Sequence, residues 1–235
     1  MKGRITRTEP TPERLGLPII GKIKVGMKSA KGYPMSVDYF FSSGKYASLF
    51  TKAYGEKPQT IQIVFPDDDP AKVCNERYEY RNDEGKLVAE GDGETFKMWT
   101  GREYKEYSAT EYPDIMQRIA SKHPNKAVRD GHDGWRVRLT MRFFIPMVRG
   151  IGGVWEFETN GTASTIPQIR DAFDMAKEQR GSCTGMIWDM TVKFATSQKP
   201  GDKSRYPVVS IVLNHSEENI KKVKEAADAI KLLGQ

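Results

Sequence analysis

The chain has 235 residues, enough for one large domain or two small ones with a sizeable buried core. Hydrophobic residues at 38% and charged residues at 29% mark an ordinary globular protein, and no apolar run approaches the roughly 18 residues of a membrane span. The net charge of +6 is unevenly spread: residues 1–60 carry 11 basic and 4 acidic side chains, residues 61–120 carry 8 and 14, and residues 121–235 carry 18 and 13. Basic flanks around an acidic middle are compatible with contact to a polyanion over part of the surface.

Residues 1–18 hold three prolines and many charges without periodicity, which predicts a mobile basic arm. The arm has no apolar core of the kind a secretory signal needs, so the cytoplasm is the expected location. Cys74 and Cys183 lie far apart with no CxxC pair; one disulfide stays open, but a reducing compartment argues against it.

Ile20–Lys28 alternates isoleucine and lysine and reads as a first strand. GKYASLFTKAYG follows, with Tyr46, Leu49, Phe50 and Ala53 forming a helical stripe that Gly55 ends. Thr60–Pro66 is strand-like in its β-branched alternation. CNERYEYR, NDEG and KLVAEGD read as strand, turn and strand, and Gly91 and Gly93 mark a reversal before a further strand, Thr95–Trp99. A polar, tyrosine-rich segment leads to EYPDIMQRIASKH, which predicts a helix, and then to a polar loop over 123–134.

WRVRLTMRFFIP, from Trp135 to Pro146, alternates cleanly. Val137, Leu139, Met141 and Phe143 occupy one parity; Arg136, Arg138, Thr140 and Arg142 occupy the other. The strand GVWEFET comes next, then a helix in TASTIPQIRDAFDMAKEQRG. There Thr165 is placed to cap, Gln168 follows three residues on, and Pro167 sits in the tolerated first turn. MIWDMTVKFATSQ and YPVVSIVLN form a predicted hairpin around the loop KPGDKSR, and residues 216–233 form a final amphipathic helix. The fold class expected is α+β, mainly antiparallel sheet with hairpins, with about four amphipathic helices packed on it. Residues 19–235 read as a single domain, with 123–134 as the one place where it would divide.

Signatures of enzymatic chemistry are missing. His123, His132 and His215 show no HxxxH or HExxH spacing, and there is no GxxxxGK[ST], GxGxxG or GxSxG, so neither a metal nor a cofactor is expected. Asp67, Asp68 and Asp69 could hold a cation, but before Pro70 a helix cap is the simpler role. The features that remain are cations interleaved with rings: Arg136, Arg138 and Arg142 on one strand face, Lys193 on another, Lys199, Lys203 and Arg205 around one loop, and Lys97 beside Trp99. These nine are the nucleic-acid-binding residues the sequence nominates, because cations neutralise phosphates and rings stack on unpaired bases. Against that stands Glu156 and Glu158, whose shared parity on the following strand could pair with the arginines instead.

Five stretches, YPMSVDYF (33–40), GKYASLFTKAYGEKPQTIQIVFPDDDP (44–70), CNERYEYRNDEGKLVAEGDGETFKMW (74–99), GVWEFETNGTASTIPQIRDAFD (153–174) and SQKPG (197–201), resemble the phage and mobile-element family of recombination-directionality-factor-like proteins. The resemblance implies a non-enzymatic accessory factor that binds a serine integrase and switches it from integration to excision, with no residue carried over by position. The helix at 216–233 would then serve either as a docking surface or as packing on the sheet. The alternative is a recombination mediator that binds DNA directly, single strands rather than a specific duplex sequence. No membrane partner is expected, and the oligomeric state is left open.

Overall fold

The computed structural model describes residues 17–148 and 152–214. Nearly all of the expected N-terminal arm, His215 and the expected helix at 216–233 lie outside the described residues.

The described chain is α+β, with a large and mostly antiparallel sheet. Its elements in order are strands β1 (Ile19–Lys28) and β2 (Pro34–Ser43), helix α1 (Ala47–Tyr54), β3 (Thr60–Val64), the single-turn α2 (Pro70–Val73), β4 (Cys74–Arg81), β5 (Leu87–Gly91), β6 (Thr95–Trp99), β7 (Tyr104–Ser108), α3 (Ile115–Lys122), the single-turn α4 (Lys126–Arg129), β8 (Trp135–Phe143), β9 (Val154–Thr159), α5 (Thr165–Arg180), β10 (Ile187–Thr196) and β11 (Arg205–Leu213). One sheet has the order β2-β1-β9-β8-β4-β5-β6-β7, and a second has the order β11-β10-β3. The pairing of β1 with β9 is parallel. No helix among the described residues is long and apolar enough to cross a membrane.

The chain divides into two compact units. The first comprises residues up to Cys74, Met141–Phe157 and Gln168 onward; the second comprises Asn75–Thr140 and Glu158–Pro167. Strands β8 and β9 therefore give residues to both.

In the first unit, Phe65 meets Phe173 of α5 edge-on with centroids 5.2 Å apart, and Trp188 of β10 at 5.7 Å. Ile169, Phe173 and Ala176 are buried, as the helical stripe requires. The Trp155 ring packs closely against Gly21: a Cβ there would stand 2.4 Å from the ring, so only glycine permits this approach. The hairpin β10–β11 is in register over its whole length, from Trp188 opposite Leu213 to Thr196 opposite Arg205.

In the second unit, Tyr80, Ala89 and Met98 stand in register on β4, β5 and β6. Their face is covered by Ile115 and Ile119 of α3 and by Trp135, whose indole N–H donates to the Met116 carbonyl at 3.1 Å. The Tyr80 hydroxyl donates to the His123 carbonyl at 2.8 Å, closing the helix end onto the sheet.

Two strands are present that hydrophobic alternation does not mark. In β2 the register with β1 slips between Lys24 and Gly26, so Val37 and Phe40, three residues apart, are both buried. In β7 no residue is buried at all, because it is the last strand of its sheet. An edge strand that offers only Tyr107 to the core, and that partly, shows no apolar parity.

Candidate interaction surface

The alternation of WRVRLTMRF is realised in β8. Leu139, Met141 and Phe143 are buried, Arg136 is exposed, and Arg138 and Arg142 lie between. On the polar parity Arg138 and Arg142 are engaged in ion pairs, whereas Arg136 has no ion-pair partner among the described residues. In the second unit, Arg138 sits 2.9 Å from Glu79 of β4 and 3.2 Å from Glu158 of β9. Glu79 also accepts from Arg81 at 2.9 Å. Register carries the row onward: Glu79 faces Glu90, Glu90 faces Lys97, and Lys97 faces Glu106, 3.9 Å away. Counted across this row, Arg138, Arg81 and Lys97 oppose Glu158, Glu79, Glu90 and Glu106. Such a row does not attract a polyanion.

In the first unit, Arg142 approaches Glu156 at 3.3 Å, and Lys22 reaches the same carboxylate at 2.8 Å. The Glu156 side chain is only 5% exposed. A buried carboxylate needs its charge compensated, and two cations from the flanking strands do so. Arg138, Arg142 and Lys97 therefore have structural partners. Of the nine nominated residues, Lys97, Trp99, Arg136 and Arg138 belong to the second unit, and Arg142, Lys193, Lys199, Lys203 and Arg205 to the first.

The aspartate run is likewise occupied. Asp69 caps α2, accepting from the Ala71 N–H at 3.0 Å with Pro70 behind it. Asp67 accepts from Lys72 at 2.9 Å. The Asp68 carboxylate accepts from the Ser182 hydroxyl at 2.8 Å and the N–H groups of Cys183 and Thr184, fastening the segment after α5 to the end of β3. Desolvation would raise its pKa, but these donors together outweigh that and hold it below the usual aspartate range. Neither cysteine is in a disulfide, and both are buried. Among the described residues no cluster of three metal-ligating side chains occurs.

Two features stay open to a partner. On the second unit, Trp99 (38% exposed) ends β6 and packs on Tyr104 (48% exposed), the residue opposite it on β7, with ring centroids 5.2 Å apart. Trp99 also walls a cleft of about 400 Å³, together with Val88, Pro124 and His123. The His123 Nε2 is buried there without a hydrogen-bond partner. Burial, with the Lys122 charge adding to it, depresses the His123 pKa and favours the neutral ring. Tyr104 was not among the nominated residues; its place opposite Trp99 follows from the pairing of β6 with β7, which β7's polar sequence does not announce.

On the first unit, Lys193, Lys199, Lys203 and Arg205 lie along the distal half of the β10–β11 hairpin. All four are exposed, and none has an ion-pair partner among the described residues. The Arg205 guanidinium sits over the Phe194 ring at 5.0 Å.

Residues 20–214 match the Gp3-like family, described as recombination directionality factor-like. No curated protein and no solved structure matches the chain significantly. The family match covers nearly everything described, both compact units included. The chain belongs to the recombination directionality factor-like family, a family of integrase accessory factors.

Proposed function

We propose that the protein is a non-enzymatic accessory factor that binds a serine integrase and biases it toward excision. The observation that carries this reading is the family match over residues 20–214. A factor of this kind acts by differential binding: it shifts the integrase between synaptic states only by its preference for one of them. Moving such an equilibrium from about 1:99 to 99:1 requires a preference of about 5.5 kcal/mol. An interface supplying that needs a few desolvated anchors, and tryptophan and tyrosine are the commonest of these. Trp99 and Tyr104, beside the cleft that includes Val88 and Pro124, provide such anchors on the second unit.

The test uses the integrase of the same mobile element. The wild-type protein is expected to co-purify with it and to convert an integration-only reaction into excision of a substrate carrying the two attachment junctions. Trp99→Ala combined with Tyr104→Ala is expected to remove both effects without changing the unfolding transition by more than about 1 kcal/mol, as for surface side chains. A wild-type protein that neither binds the integrase nor alters its direction rejects the proposal.

A further inference from the structure

We propose that the distal half of the β10–β11 hairpin is a duplex-DNA arm that enters a groove and contacts phosphates on both sides. This goes beyond integrase docking and does not depend on it.

The pairing of β10 with β3 stops at Thr191 opposite Thr60. One more backbone bond joins the Val192 N–H to the Gln59 carbonyl, and past it β11 is the only strand paired with β10 among the described residues. In its hydrogen bonding the hairpin is thus two-stranded from Lys193 onward, while β2 also packs near β10 and β11. Its end is held in shape: the Ser197 N–H donates to Ser204 at 2.9 Å, the Asp202 N–H donates to Lys199 at 3.1 Å, and Gly201 takes the left-handed conformation, φ +80°, that the turn demands. Residues 198–206 are exposed without a break.

Charge is arranged around this ribbon on both faces. Register puts Lys193 on the face that also carries Tyr206, the residue opposite Ala195. Arg205, opposite Thr196, falls on the other face, over Phe194. Lys199 and Lys203 occupy the tip. The one acid in the loop, Asp202, is engaged with the Ser204 N–H at 2.8 Å and so helps to fix the turn.

A ribbon of two strands is one of the two elements that the major groove of B-form DNA admits. Cations on both faces and at the tip suit phosphates that line both walls of a groove. Single-stranded DNA is the poorer fit, because it is held by successive open ring faces, and on this ribbon Phe194 is covered by Arg205, which leaves Tyr206 as the one exposed ring. The contacts reach backbone and carry no base recognition, so binding is independent of sequence.

The experiment titrates the full-length protein, without integrase, against a short labelled duplex of arbitrary sequence and against one of its strands, by fluorescence anisotropy. Four phosphate contacts give a slope near −3.6 in log K against log salt, so duplex affinity is expected to fall about a hundredfold between about 50 and 200 mM salt. For Lys199→Ala with Lys203→Ala the slope is expected to halve, leaving a fall of about tenfold over the same range. Arg102→Ala with Lys122→Ala, an equal loss of exposed charge on the second unit, is expected to leave the slope unchanged. Both double variants replace exposed side chains and are checked for native circular dichroism. Absence of duplex binding at low salt, an unchanged slope in the hairpin variant, an equal loss in the control, or tighter binding to the single strand each overturns the assignment.

Discussion

Arg142 is expected to be a stability residue, and its pairing with Glu156 can be measured directly. The two charges lie 3.3 Å apart, with Glu156 5% and Arg142 26% exposed. At an effective dielectric constant of about 20 their gross attraction is roughly 5 kcal/mol. Desolvation of the glutamate and residual water around the arginine offset most of it, leaving about 1–2 kcal/mol net. Arg142→Met keeps the aliphatic stem but removes the charge. Glu156 then stays buried with Lys22 alone, and the cost is expected to be about 2–3 kcal/mol, below the 3–5 of a carboxylate left with no partner. Glu156→Gln removes the demand itself and is expected to cost about 1–2 kcal/mol, because both cations reach solvent. The double variant should cost less than the sum by about 1–2 kcal/mol. Urea unfolding of the four proteins, with thermal midpoints falling about 2–4 °C per kcal/mol, reads this cycle. Additivity within about 0.5 kcal/mol would refute the pairing. So would a neutral Arg142→Met accompanied by a loss of DNA affinity, since that is what a phosphate-contacting arginine would show.

Gly21→Ala is expected to destabilise by about 1–3 kcal/mol, because the new Cβ would meet the buried Trp155 ring at 2.4 Å; unfolding curves indistinguishable from wild type would disprove that contact. Asp68→Asn exchanges one acceptor oxygen for a donor facing the Ser182 hydroxyl and is expected to cost about 1–2 kcal/mol at neutral pH. The folded-state pKa of Asp68 is depressed, so its contribution is fully present above the unfolded value of about 3.9 and is lost as pH falls through the lower folded one. The stability gap between wild type and Asp68→Asn is therefore expected to be constant above that value and to narrow below it; a gap that widens in acid contradicts the hydrogen-bond assignment.

Much of this architecture is visible in the sequence where one physical rule dominates. The strand WRVRLTMRF and the helix with Ile169, Phe173 and Ala176 follow from periodicity alone, because each buries one face and leaves the other open. Strand β2 escapes because a slip in register places Val37 and Phe40 on the same side, and β7 escapes because an edge needs no apolar signal. The partition into two units is not legible either: its boundaries cross β8 after Thr140 and β9 after Phe157, inside regular alternating sequence. Among the nominated site residues, the pairing of Arg142 with Glu156 and of Arg138 with Glu158 was open to a sequence argument from shared parity. The third partner, Glu79, was not, since only the strand order brings β4 beside β8.

Local pairing also changes what the net charge of the chain means. The described residues of the second unit hold 12 basic and 14 acidic side chains, and those of the first hold 16 and 11. An excess of five cations is small when spread over a surface, where salt screens it within about 8–10 Å. It matters where cations gather without partners. Lys22 and Arg142 are committed to Glu156, and Lys72 to Asp67. Four of the cations left over, Lys193, Lys199, Lys203 and Arg205, sit on a single ribbon. The second unit is near neutrality and carries Trp99 and Tyr104 at its edge, rings of the kind that anchor protein contacts. A factor that docks through one unit and touches DNA through the other would bring the integrase and its substrate onto one chain. That arrangement predicts that loss of the hairpin lysines weakens excision more at low salt than at high, where phosphate contacts already contribute little, whereas loss of Trp99 and Tyr104 weakens it at every salt concentration.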